Sequence, residues 1–188
     1  KELFQKNRSY RRFDESVRIS NDQLRSWIEL ARFSASGRNM QPLKYVTSVD
    51  KKLNAEIFQH LAWAGYLTNW KGPAEGERPA AYLVVLHDKS LSSQYFCDDG
   101  IAVQSILLGV VNDGFGGCIL GSVNRAKVAR LFNLPAHLEI LWVVALGKPV
   151  EKVVLHDLEG SDIRYWRDEE NVHHVPKRTL DELIVAMK

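Results

Sequence analysis

The chain has 188 residues, 45% hydrophobic and 26% charged, with a formal net charge of +2. That length suits a single domain over residues 1–188 with a sizeable core, and the composition excludes disordered and fibrous classes. The small net charge leaves no electrostatic footprint for nucleic acid, and no apolar run approaches the roughly 18 residues of a membrane span.

Cys97 and Cys118 lack CxxC spacing, which argues against a disulfide scaffold or a cysteine zinc site and fits a reducing cytoplasm. The start is polar and basic, without the apolar stretch of a signal peptide, and the absent initiator Met fits a processed end.

Along the chain, Ser20-x-x-Gln23 reads as a capping box. It opens a helix with Leu24, Trp27, Ile28 and Ala31 on one face, ending between Ser34 and Gly37. Tyr45 to Val49 reads as a short strand, and Leu53, Ile57 and Leu61 form another helical stripe. Gly72-Pro73, Gly76 and Pro79 punctuate a surface loop over 69–79. Ala80 to Leu86 is nearly all apolar, as a strand buried on both faces should be. Asp98 to Val111 reads as a helix apolar almost all round, suited to a core or an interface. Gly114, Gly116 and Gly117 break it before a short strand, Cys118 to Leu120. Ala126 to Phe132 reads as a helix and Leu138 to Leu146 as a strong strand, stopped by Gly147-Lys148-Pro149. Val150 to Arg178 is polar and irregular, and Thr179-x-x-Glu182 caps a last helix, Leu180 to Met187. Helices and strands mix without βαβ alternation, so the fold class is α+β. A polar tail of that length is awkward for a monomer and makes sense around a second subunit.

The familiar catalytic constellations are missing: no HExxH, GxSxG or GxxxxGK[ST] occurs. His173-His174 lacks metal-ligand spacing and reads as a solvated or hydrogen-bonded tail element. Asp98-Asp99 reads as two acids opposing a helix dipole, and Cys118 as a small buried residue. Three features remain. Arg8-Ser9-Tyr10-Arg11-Arg12-Phe13 crowds three guanidinium groups and a hydroxyl near the start, and Lys177-Arg178 adds cations near the end. Planar guanidinium donors match phosphate oxygens. The turn Ser36-Gly37-Arg38-Asn39-Met40-Gln41-Pro42 is dense in groups that read the polar edge of a heterocycle. Gly114 to Ser122 is rich in small residues that let backbone approach something flat. Each has a plainer reading: a solvated basic face, a helix-ending loop and a tight helix-to-strand turn.

In this order the segments resemble the nitroreductase family. Its Arg-Ser-x-Arg-x-Phe element is met at Arg8 to Phe13, and its Ser-x-x-Asn-x-Gln-Pro turn at Ser36 to Pro42. The long apolar helix follows, then the Gly-rich turn ending Gly116 to Gly121, the strand ending Gly147-Lys148-Pro149, and the basic element His174 to Arg178. The sequence departs from the family at Ala35 and Leu43, where Pro and Trp are common, and at Asn7, often basic.

The resemblance implies a central, mostly antiparallel sheet flanked by helices, in an intertwined homodimer with exchanged C-terminal tails. It implies FMN as cofactor. Arg8, Ser9, Arg11, Lys177 and Arg178 would hold its phosphate, Asn39 and Gln41 would lie near the ribityl chain and ring edge, and Ser36 would reach across from the partner. Backbone at Ile119, Leu120, Gly121 and Ser122 would face the isoalloxazine. Trp63, Tyr66 and Trp70 would roof the substrate pocket, or belong in part to the core. Two electrons would pass from NADH or NADPH through flavin N5 to an electron-poor acceptor such as a nitroaromatic or quinone, in ping-pong order, without a catalytic side chain or metal. Alternatives on the same scaffold are a dehydrogenase, a dehalogenase, a flavin-fragmenting enzyme, or a flavin-binding sensor with little turnover. A non-flavin domain with solvated basic clusters stands further off.

Overall fold

The computed structural model describes residues 1–188. Its centre is β3 (Ala81–Asp88), buried along its whole length and antiparallel to both β2 (Leu43–Ser48) and β5 (Leu138–Pro149). β4 (Gly116–Leu120) pairs antiparallel with β5, and the short β1 (Phe13–Asp14) pairs with the last residues of β5.

Alternation along β3 divides the interior in two. Ala81, Leu83 and Val85 face one core, shared with Leu24 and Trp27 of α2 (Asn21–Arg32) and with Val103, Ile106 and Val110 of α4 (Asp98–Asn112). Tyr82, Val84 and Leu86 face the other, with Ile57 of α3 (Lys51–Phe58) and Val128 of α5 (Arg125–Leu131). A strand apolar at every position is thereby explained: both of its faces are covered by helices. One register shift falls opposite Val85 and Leu86, where Leu141 is the extra residue, so Leu141 and Trp142 both turn toward the first core. The Arg125 guanidinium donates to the Ile140 and Leu141 carbonyls at this bulge, each at 3.0 Å.

The expected helix starts hold. Ser20 and Gln23 form the full capping box, which contributes about 1 kcal/mol. Trp27 is fully buried, yet its indole N–H reaches Asp113 at 2.7 Å, so the ring packs without losing a hydrogen bond. Leu61 lies outside its expected helix and forms an isolated bridge to Val123.

The tail corrects the reading from sequence. Residues 150–178 are not irregular throughout. β6 (Val153–Asp157) and β8 (His173–Lys177) pair in parallel, and β7 (Trp166–Arg167) adds antiparallel to β8. The signal was weak because the parallel pair spans a long connection and the strands carry His, Asp and Pro. Pro176 lies where β8 has only one neighbour, so its missing N–H breaks no ladder. The last helix is also shorter than expected: α6 spans only Leu180–Leu183, although its Thr179–Glu182 capping box is present. Beyond it Val185 and Met187 are almost fully exposed, and a helix with no apolar partner does not propagate far.

Candidate functional site

The two ends of the chain meet. The segment after α1 (Glu2–Lys6) runs beside β4, with Ser9 bridged to Gly117 and the Tyr10 N–H donating to the Gly117 carbonyl at 3.0 Å. Gly116 and Gly117 are required there. A Cβ on Gly116 would stand 2.5 Å from the Tyr10 ring, and one on Gly117 2.8 Å from the Ala145 carbonyl. The flat group that Gly116 admits is the chain's own Tyr10, while Gly117 makes room for the backbone of β5 and for Leu107 and Leu146.

Tail strand β8 closes the other side. Between them lies a cavity of about 300 Å³ lined by Asn7, Arg8, Ser9, Arg11, Val153, Tyr165, His173, Val175 and Lys177. It has three cations and no carboxylate. Arg8, Arg11 and Lys177 take part in no salt bridge. Like charges gathered without a counter-charge repel one another, and an anion in the cavity removes that cost.

One buried acid holds the walls together from behind. The Glu151 carboxylate, with no exposed side-chain surface, accepts from the backbone N–H of Arg11 and Arg12 and from the Arg167 guanidinium at 2.9 Å. Arg167 also lies 4.2 Å over the Trp70 ring. Nothing local in the sequence marks Glu151 for this role, since its partners are 16 and about 140 residues away. Arg11 itself lies over Tyr165 at 5.0 Å and contacts His173 through Nη1 at 3.3 Å. His173 is 1% exposed, and its pKa is pulled down to about 4, by burial first and then by Arg11 and Arg167. His174, by contrast, is hydrogen-bonded to His156 at 2.6 Å and Asp168 at 2.9 Å, the tail role expected for it.

Arg178 stays apart from this cavity and pairs with Glu182 at 3.4 Å. Of the two basic residues in this motif, only Lys177 lines the cavity.

The 36–41 turn lies elsewhere, in a different cavity that Ser36 and Gln41 line together with Asp98 and Tyr45. Asp98 is buried, and it accepts from Ser36 Oγ at 2.6 Å and from the Gly37 N–H at 2.8 Å. Ser36 Oγ in turn accepts from the Gln41 N–H at 2.8 Å. The hydroxyl is thus committed inside its own chain. Asp98 does more than oppose a dipole: it is the anchor of the turn, a role its place in a first helical turn concealed. Burial and the nearby Asp98 charge push the Tyr45 phenol up to about 12. Within the turn Arg38, Asn39 and Gln41 all take left-handed backbone, with φ of 52°, 56° and 48°. Asn39 and Gln41 are exposed and touch each other, Nε2 to Oδ1 at 3.1 Å.

At the end of β4, Leu120 is buried while Ile119, Gly121 and Ser122 are exposed. Neither the Gly121 nor the Ser122 N–H donates within the chain. The small residue at 121 accommodates the Trp142 ring, which a Cβ would meet at 3.0 Å.

Among the roof residues, Trp63 is a core residue: it is 6% exposed and packs against Phe58 and Trp70. Its burial matches the core alternative left open for these aromatics. Trp70 is half-buried beneath Arg167. Tyr66 is exposed, with its ring 4.9 Å from Tyr165.

Residues 5–148 match the model of the nitroreductase family. An oxygen-insensitive NADPH nitroreductase of Helicobacter acinonychis (strain Sheeba) is 25% identical over 185 residues, covering 81% of this chain and 88% of that protein. A nitroreductase family protein of Streptococcus pneumoniae TIGR4 superposes with a TM-score of 0.70 at 16% identity, covering 99% of this chain and 98% of that one. The NADPH:FMN oxidoreductase of Vibrio harveyi, complexed with NAD+, gives a TM-score of 0.61 at 25% identity over 79% of this chain and 68% of that one. No helix is long and apolar enough to cross a membrane. With a matching family model over most of its length and the same antiparallel sheet between helical layers, the chain belongs to the nitroreductase family.

Proposed function

We propose that this protein is an FMN-dependent oxidoreductase that passes two electrons from NADH or NADPH to an electron-poor acceptor such as a nitroaromatic or quinone. The observation that carries this reading is the cavity with three unpaired cations and no carboxylate, assembled from both ends of the chain. It fits the phosphate of FMN: Arg8 and Arg11 offer planar donors, Ser9 a short one, and Lys177 a point charge. The names of the Helicobacter and Vibrio relatives support a nicotinamide donor.

FMN, when bound, supplies the two-electron chemistry. The chain supplies position and electrostatics. The free N–H groups of Gly121 and Ser122 are available to the ring edge, where a fixed donor stabilises negative charge as it develops. Tyr66 offers an exposed ring on which an aromatic acceptor stacks. No side-chain acid or base is required, and donor and acceptor use one site in turn, so the kinetics are ping-pong.

The working unit in this reading is a homodimer. Asn39 and Gln41 do not line the cation cavity of their own chain, and a partner's turn supplies them. The exposed apolar end of the chain, Leu183 to Met187, is the segment that reaches the partner.

The test is the visible spectrum of the purified protein before and after anaerobic NADH or NADPH. Flavin absorption that bleaches on adding the nucleotide is the expected result. Absorption that persists favours a sensor with little turnover, and a colourless protein that takes up no FMN removes the reading.

A further inference from the structure

We propose that His173 is a positioning residue for the cation cavity: its uncharged ring accepts a hydrogen bond from Arg11 and fixes that guanidinium toward the phosphate of FMN. The inference rests on the FMN reading above. A guanidinium carries only donors, so in the 3.3 Å contact between Arg11 Nη1 and His173 Nε2 the histidine must accept. A neutral ring that accepts at Nε2 carries its proton on Nδ1, and that buried Nδ1 meets no acceptor in the chain. The ring gives up one hydrogen bond to hold this tautomer against Arg11.

Charge favours an imidazole over a carboxylate at this position. A carboxylate at this position would orient Arg11 and also neutralise it, weakening its hold on an anion. A neutral imidazole orients the cation and leaves its charge intact. The nearest buried acid, Glu151, is committed to the Arg11 and Arg12 backbone and to Arg167. Three further contacts pin Arg11 in place: Nη1 donates to the Ser9 carbonyl at 3.1 Å, Tyr165 lies 5.0 Å below the guanidinium, and the backbone N–H is held by Glu151. The cations acting on His173 are Arg11 and Arg167, and the Tyr165 ring packs against it at 5.1 Å.

Two measurements test this. The ring nitrogens of His173, followed by 15N NMR near neutral pH without added flavin, should show the proton on Nδ1; a proton on Nε2 overturns the proposal. FMN and riboflavin affinities then isolate the phosphate. His173→Phe should cut FMN affinity about tenfold, the scale of one charge-assisted hydrogen bond, and leave riboflavin affinity unchanged. His173→Gln, which keeps an acceptor, should recover most of the loss, and His173→Phe should add little in an Arg11→Ala background. Equal loss of both flavins, or an undiminished effect in Arg11→Ala, shows a merely structural histidine and overturns the proposal. Wild-type protein that binds neither flavin removes the FMN reading and the role of His173 with it. Wild-type binding with an unchanged FMN-to-riboflavin ratio in His173→Phe removes the role of His173 alone.

Discussion

The cation cavity and the 36–41 turn are both rich in polar groups, yet they spend them in opposite ways. The turn is satisfied from within: Asp98, Ser36, Gly37 and the Gln41 N–H form a closed set of hydrogen bonds, leaving Arg38, Asn39 and Gln41 exposed. The cavity keeps Arg8, Arg11 and Lys177 free of counter-charge, while its one structural acid hides behind the wall. A self-satisfied element presents side chains to a surface; an unsatisfied one waits for a charged ligand. The difference separates presentation from capture and can be broken at either end.

The largest effect should come from Glu151→Ala. It strips the half-buried Arg167 of its partner and leaves two backbone N–H groups unanswered, which costs about 3–5 kcal/mol. Urea unfolding measures it, and a loss below about 1 kcal/mol would show that water reaches Arg167 as readily as Glu151 does. The same wall makes stability depend on pH. His173 has a pKa near 4 in the fold against about 6.5 unfolded, so between those values the unfolded chain holds the extra proton. Its contribution is fully present above 6.5 and is lost as pH falls toward 4. His173→Gln should flatten the melting temperature across that window, and an unchanged slope would assign it to other groups.

Next is a pair that looks alike in sequence and differs in place. Lys177→Ala removes a cation from the cavity and should weaken FMN binding by about 1.5–3 kcal/mol. Arg178→Ala touches only an exposed pair with Glu182 and should stay within about 0.5 kcal/mol. Equal losses would mean that both residues reach the phosphate. On the turn side, Asp98→Ala leaves the Ser36 hydroxyl and the Gly37 N–H without an acceptor, at about 1–3 kcal/mol of stability.

The same contrast governs what the sequence made legible. β3, α2 and α4 announce themselves because burial has a period: every position, or every third and fourth, faces a helix layer. The cation residues were legible as types, since guanidinium clusters serve anions wherever they fall. What holds them in place was not. Glu151, Tyr165 and His173 act on Arg11 from 140 to 162 residues away, across a small sheet whose parallel strands leave no hairpin signal. Trp63 shows the converse: an aromatic triplet reads equally as a roof or as part of the core, and Phe58 and the second core claim its first member.

The smallest effect is the most pointed. Arg38 holds φ 52° and ψ 18°, left-handed backbone that costs an L residue about 1–2 kcal/mol. Arg38→Gly removes that cost, gives back about 0.5–1 kcal/mol of chain entropy, and forfeits a weak contact with the Phe96 ring 5.8 Å away. These terms nearly cancel, so unfolding free energy should move by no more than about 0.5 kcal/mol. The turn would nonetheless lose its rigid neighbour to Asn39, and FMN retention reports whether that rigidity serves the site. Weaker retention at unchanged stability would mean that the strain at Arg38 exists to present Asn39 and Gln41. Unchanged retention, with a clear gain in stability, would make that strain a cost of folding alone and leave capture by the cation cavity as the dominant hold on the cofactor.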